Sequence, residues 1–183
     1  VYLDDWQWNS SSNDLFPATL VANSEQFGYS LKLTNNAPYQ KQGEQGYSTK
    51  SSDGKVASYY YSQPFINVSG EVTIDGVTHL VSGKGWIDRE WSSQFLLDSQ
   101  QGWDWFVFNF GDGTALSINR YRHNQQLPYV FGSLATRSGK VYQLTESDIS
   151  IQPLQNTTLM NGRRMPLQWI INVPKHDINL TTR

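Results

Sequence analysis

The sequence predicts an all-β protein built from antiparallel strands, and three observations carry that prediction. No segment holds a sustained apolar stripe at i, i+3, i+4 and i+7, the spacing an amphipathic helix needs. β-Branched and aromatic runs instead recur between clusters of turn-forming residues, at the roughly 8–12-residue rhythm of sandwiches and barrels. Asp75-Gly76 and Asp112-Gly113 stand between alternating runs, where tight hairpin turns need residues that tolerate positive φ.

Each element has its own local reason. Ala18–Asn23 is a short apolar run, and Gly28–Thr34 alternates Tyr29, Leu31 and Leu33 with Ser30, Lys32 and Thr34, so both read as strands. Asn9–Asn13 and Gln40–Gly54 are rich in Ser, Asn, Gly, Gln and Lys and read as loops. The second is long enough for a lid, a mobile connection or a joint between units. Lys55–Asn67, Glu71–Ile74, Thr78–Ser82 and Gly85–Glu90 follow as strands, with Asp75-Gly76 as the hairpin among them. Gly102–Phe110 and Thr114–Arg122 flank Asp112-Gly113, and Tyr129–Thr136 and Lys140–Thr145 flank the weaker turn Ser138-Gly139. Leu167–Val173 is the last predicted strand. Helix is expected in under about a tenth of residues, against a norm near a third. The expected core holds Trp103 or Phe106, with Phe108, Ile118, Leu134 and Trp169.

Composition excludes several functions. The 183 residues carry 14 Lys+Arg against 16 Asp+Glu, a net charge of −2, with no basic patch to hold a phosphate backbone, so nucleic acid is not an expected partner. Cysteine is absent, which removes disulfides, thiolate zinc sites and a cysteine nucleophile together. His79, His123 and His176 lie in unrelated segments without ligand spacing, so no metal site is expected. No Gly-x-Ser-x-Gly elbow occurs, and Gly43–Gly46 precedes no helix that would make it a phosphate loop. No run approaches the ~18 apolar residues of a membrane span. The chain opens at Val1 without a charged-then-apolar leader, as expected of a processed or excised segment.

The chemistry concentrates in the middle. In Gly83–Gln94 a strand places Trp86, Asp88 and Glu90 on one face and Ile87, Arg89 and Trp91 on the other. Two carboxylates at i and i+2 lie roughly 6.6 Å apart along a strand and do not both ionise comfortably when buried. A surface ion-pair ladder is the competing reading. In Gly102–Phe110, Asp104 shares its face with Phe106, Phe108 and Phe110, which demands a partner. Leu116, Ile118, Arg120 and Arg122 share one face of the next strand, so Arg120 or Arg122 can pair with one of these carboxylates. Tyr59-Tyr60-Tyr61 puts Tyr59 and Tyr61 on one face, either as packed aromatics or as the wall of a ligand cavity.

Gly85–Ser92 followed by Gly102-Trp103-Asp104-Trp105-Phe106 and Asp112-Gly113 resembles the carotenoid 1,2-hydratase/AttH-like family. Gly43–Ser48, Tyr59–Ser62, Arg120–Arg122, Pro128-Tyr129, Met165–Trp169 and Pro174 extend the resemblance from about Phe27 to the C-terminus. The resemblance implies a lipocalin-like (calycin) β-barrel architecture, with parts of two barrel units. Family members open on a Glu-Trp-Trp-Tyr-type segment and close on a Tyr-Trp-Glu-Gly-type one. Neither occurs here, so residues 1–183 are expected to be one lipocalin-like unit from the middle of a longer two-barrel protein.

The family's hydratases add water across a terminal isoprenoid double bond, which needs an acid, aromatic faces for the cation and a positioned water. By resemblance the acid is Asp88. Trp86 takes the place of a tyrosine, and Tyr59 and Tyr61 take the places of a His-x-Trp pair. Ligand contacts are expected at Trp86, Tyr59, Tyr61, Glu90, Trp105, Asp104 and Arg122, with no metal and no cofactor. A small apolar ligand or lipid is the expected partner, in a secreted or periplasmic protein. Two readings stay open: an enzyme of isoprenoid or lipid metabolism, and a lipid carrier in which Asp88, Glu90 and Arg122 only lock strands together.

Overall fold

The structure, a computed structural model, describes residues 1–94 and 96–182. It contains fifteen strands and two single-turn 3-10 segments, with no α-helix among the described residues. No described helix is long and apolar enough to cross a membrane. Every strand pairing is antiparallel. The expected all-β antiparallel class is what the chain adopts.

The first sheet has eight strands: β1 (Tyr2–Leu3), β2 (Trp6–Ser10), β3 (Ala18–Asn23), β4 (Phe27–Thr34), β5 (Gln40–Lys41), β6 (Tyr47–Thr49), β7 (Ala57–Ile74) and β8 (Val77–Trp91). It curls into a half-barrel. Its spine is β7, 18 residues long, with β8 along one edge. The other edge is shared: β4 takes Asn67–Ile74, and β5 and β6 take stretches within Ala57–Ser62. The ladder between β7 and β8 slips between Gln63 and Ile66. Pro64 sits in that slip, where its missing N–H costs no ladder bond. Asp75 (φ 48°) and Gly76 (φ 78°) close the β7–β8 hairpin with the paired positive φ angles of a type I′ turn.

A second sheet is the meander β9 (Gln100–Asn109), β10 (Thr114–His123), β11 (Tyr129–Thr136) and β12 (Val141–Thr145). A third joins β13 (Ser150–Thr158), β14 (Arg164–Val173) and β15 (Ile178–Thr181). The four-stranded sheet is covered on both faces. One face gives Leu116, Ile118, Val130 and Leu134, which bury against Trp169, Ile171 and Val173 of β14, with Phe106 and Phe108 packed alongside. The other face looks onto the eight-stranded sheet. Double coverage explains why Ala115–Asn119 of β10 are buried without a break.

Several expectations need correction. The two predicted strands Lys55–Asn67 and Glu71–Ile74 are one strand, as are Thr78–Ser82 and Gly85–Glu90, because Ser69-Gly70 and Gly83-Lys84 continue the ladder. Asn9 and Ser10 belong to β2, not to a loop. The segment from Gln40 to Gly54 is not all loop. It carries β5 and β6 against β7, and Gln40, Gln42, Ser48, Lys50 and Ser51 are all buried. Of the two alternatives for the core, Phe106 joins it, whereas Trp103 is 53% exposed on the opposite face of β9.

Candidate functional site

The inward face of the half-barrel is polar where it meets the four-stranded sheet. Gln40, Ser62 and Asp88 form one cross-strand row over β5, β7 and β8, and Tyr60 pairs with Glu90 in the next row. Ser62 donates to Asp88 Oδ1 at 2.5 Å and accepts from Gln42 Nε2 at 2.9 Å. Gln42 Oε1 accepts from Ser133 Oγ at 2.7 Å, and Ser133 accepts from Gln40 Nε2 at 2.5 Å. Every donor in this chain points towards Asp88. Four buried side chains thus deliver one hydrogen bond to the carboxylate and join the two sheets.

Glu90 is served differently. Lys50 Nζ lies 2.6 Å from its Oε1, and Ser58 donates to the same atom at 2.6 Å. Lys50 also donates to Ser48 Oγ at 3.2 Å, and its ammonium stands 4.7 Å from the Tyr60 ring centroid, 5.3 Å from Phe131 and 6.0 Å from Tyr121. An ion pair and three ring faces offset part of the cost of burying that charge.

These groups edge a cavity of about 280 Å³ between the two sheets. Asp88, Glu90 and Lys50 supply its charge, and Asn119 of β10 and Ser92 add polar atoms. Tyr60, Tyr121, Trp91, Trp103 and Trp105 supply its aromatic wall. Burial pushes the Asp88 carboxyl above its ordinary value of 3.8, against the pull of the Ser62 and Tyr60 side chains, and the Glu90 charge adds to the rise. Burial likewise raises the Tyr60 and Tyr121 phenols and lowers the Lys50 ammonium, the last opposed by Glu90. An acid that holds its proton more tightly than an ordinary carboxyl, beside an ion-paired carboxylate and under aromatic faces, can donate that proton to an apolar substrate while a second group handles water.

The structure brings Asp88, Glu90 and Trp105 together as expected from the sequence. Trp86 shares their face and packs on Ala37, Phe65 and Ala115 beneath the cavity, with its buried Nε1 lacking a hydrogen-bond partner among the described residues. Tyr59 and Tyr61 are placed elsewhere. They lie on the outer face of β7 in a ring ladder, Tyr39–Tyr61–Trp91–Tyr59–Tyr47, and the tyrosine that faces Asp88 is Tyr60. Asp104 and Arg122 are also apart from Asp88, on the far face of the four-stranded sheet. Asp104 Oδ2 pairs with Arg120 Nη1 at 3.1 Å, and its Oδ1 with Arg122 Nη1. This satisfies the demand for a partner at Asp104 and places the arginines on that carboxylate, while the contact of Asp88 is a serine.

Sequence reasoning missed Lys50, Tyr60, Ser62, Tyr121 and Asn119. Lys50 sits in a stretch whose composition reads as loop, and nothing local marks it as buried. Tyr60 was legible in part: antiparallel register puts one member of a tyrosine run on each face, but which one depends on the partner strand. No group of three or more His, Asp or Glu side chains that could hold a metal ion occurs among the described residues.

Comparison with known proteins agrees with this architecture. The AttH-like family profile matches residues 1–183. No curated protein matches the chain. Among solved structures, a candidate AttH protein from Nitrosomonas europaea is 31% identical with a TM-score of 0.84, over 94% of this chain and 54% of that one. Kievitone hydratase from Nectria haematococca is 15% identical with a TM-score of 0.75, again over 94% of this chain and 54% of its own, a likeness of fold. The chain therefore spans about half the length of both. With a curled antiparallel half-barrel, a lipocalin-like neighbourhood of folds and a family match from end to end, the chain belongs to the AttH-like family.

Proposed function

We propose that the protein is a hydratase-like enzyme acting on an apolar substrate of isoprenoid or lipid type, with Asp88 as its acid. The observation that carries this reading is a carboxyl raised by burial at the edge of an aromatic-walled cavity. The family, and the fold shared with a hydratase, support it. Asp88 gives its proton to one alkene carbon. The cation on the other carbon lies against the faces of Trp103, Trp105 and Tyr121, and a water adds to it and passes a proton to Glu90, two residues along the same strand. Alkene and water become an alcohol, and the two carboxyls have exchanged one proton, which solvent restores.

The test is Asp88→Asn, assayed on prenylated alkenes in ¹⁸O-water. Wild type is expected to yield a tertiary alcohol carrying one ¹⁸O, and the variant to lose roughly 10²–10⁴-fold in rate while folding normally. Turnover that survives the substitution overturns the assignment. Wild-type protein that binds these alkenes without converting them makes the cavity a carrier's instead.

A further inference from the structure

Lys50 is not used by that chemistry. It is 3% exposed, lines the cavity, and differs from the six other lysines (Lys32, Lys41, Lys55, Lys84, Lys140 and Lys175), all of which are exposed. A static cross-link between the 40–54 segment and β8 would be made more firmly by an arginine, whose planar fork binds a carboxylate through two bonds. A primary amine has a different capability: freed of one proton it is a nucleophile.

We propose that Lys50 is a covalent capture site for small apolar aldehydes, held as a protonated imine against Glu90. The reaction balances with groups already in place. Glu90, 2.6 Å away, takes a proton from the ammonium, and the freed amine attacks the carbonyl carbon. Glu90 gives that proton to the adduct's oxygen, takes a second from its nitrogen to leave a neutral carbinolamine, and passes this one to the same oxygen, which leaves as water, and a carbon–nitrogen double bond remains. The positive charge stays on Nζ. Glu90 therefore remains its counterion, and the ring faces of Tyr60 and Phe131 continue to serve it, while the single remaining N–H gives up the bond to Ser48. Burial, which lowers the ammonium's pKa, favours the attack. The aldehyde's tail would lie against Trp103 and Trp105. A cavity of about 280 Å³ takes about ten non-hydrogen atoms, on the ~30 Å³ that each water occupies in the liquid.

Cinnamaldehyde has that size and a conjugated tail, and serves as the probe. The protein is incubated with it, reduced with cyanoborohydride and mapped by peptide mass spectrometry. Lys50 is expected to carry the cinnamyl group several-fold faster than any exposed lysine, because burial leaves it a larger share of free amine. Before reduction, a red-shifted absorbance should report the protonated imine. Lys50→Met should lose that adduct and keep the slow surface labelling. Asp88→Asn, which removes the proposed acid and a negative charge that supports the Lys50 ammonium, should still label Lys50 ahead of the exposed lysines, so the outcome is independent of whether the protein hydrates alkenes. Label spread over the exposed lysines with Lys50 spared, or Lys50 labelled no faster than they are, overturns the proposal, and the wild-type map decides this even if Lys50→Met fails to fold.

Discussion

Ser62 accepts a hydrogen bond from Gln42 and donates one to Asp88, so its hydroxyl proton has a single direction. That bond favours the carboxylate, whereas burial favours the acid, and burial is the larger effect. Ser62→Ala removes the opposing donor, so Asp88 should hold its proton to still higher pH, read from its carboxyl ¹³C shift in a titration. An unchanged midpoint would mean that Ser62 does not tune the acid. The same shift has a consequence for stability. Well below pH 3.8 Asp88 is protonated in both states; as pH rises the unfolded chain loses its proton first, around the ordinary 3.8, and the folded chain later. The folded state then binds more protons, so stability falls with rising pH until the folded group also ionises. Asp88→Asn abolishes that loss. Its melting temperature should match wild type in acid and exceed it near neutrality. A large drop in stability at all pH values would show instead that Asp88 locks the strands.

Strand pairs impose their own requirements. Asp104 holds Arg120 and Arg122 on the inward-packed face of the β9–β10 hairpin, where its side chain is 13% exposed. Asp104→Ala strands two guanidinium groups, the less exposed being Arg120, and should cost roughly 2–4 kcal/mol in urea denaturation, part of the buried-pair range being lost to solvent screening at Arg122. A cost near zero would mean that solvent already carries the charges. Two glycines separate turn strain from steric contact. At Gly76 a Cβ meets nothing within 4 Å, so Gly76→Ala should cost about 1–2 kcal/mol, from the left-handed backbone alone. At Gly70 a Cβ would stand 2.1 Å from the Ser30 carbonyl oxygen across the β4–β7 ladder, so Gly70→Ala should cost more than Gly76→Ala. The reverse order would show that the ladder yields easily there.

The four-stranded sheet joins two interiors, one apolar and one polar, and its faces divide the labour. Ile118, fully buried towards β14, belongs to the apolar side, and Ile118→Ala should cost roughly 2–5 kcal/mol with the cavity's aromatic wall left in place. Asn119, its neighbour in sequence, belongs to the cavity. Fluorescence of the cavity tryptophans should therefore keep its ligand response in Ile118→Ala at temperatures where the variant is folded. Loss of that response would show that the two interiors are not separable. On the polar side Gln40, Gln42 and Ser133 bind the sheets through side chains, which makes the hydrogen-bond chain that ends on Asp88 part of the inter-sheet contact.

The sequence by itself determined what local chemistry controls. The Asp75-Gly76 turn, the alternation that puts Trp86, Asp88 and Glu90 on one face, and the need of Asp104 for an arginine across the hairpin all follow from spacing within a strand or between neighbouring strands. It also hid what local chemistry does not mark. β13 carries Pro153 and five residues of Gln, Asn and Thr within Ser150–Thr158, tolerable because it is a sheet edge, and edges are assigned by topology. Whether Tyr60 or its neighbours Tyr59 and Tyr61 meet Asp88 depended on the register of β7 against β8, since a slip of one residue exchanges the faces. Lys50 became part of the site because a polar segment folds inward between two sheets, where Glu90, far along the chain, supplies the charge that makes its burial tolerable. Those decisions belong to contacts between distant residues, and tertiary structure alone makes them.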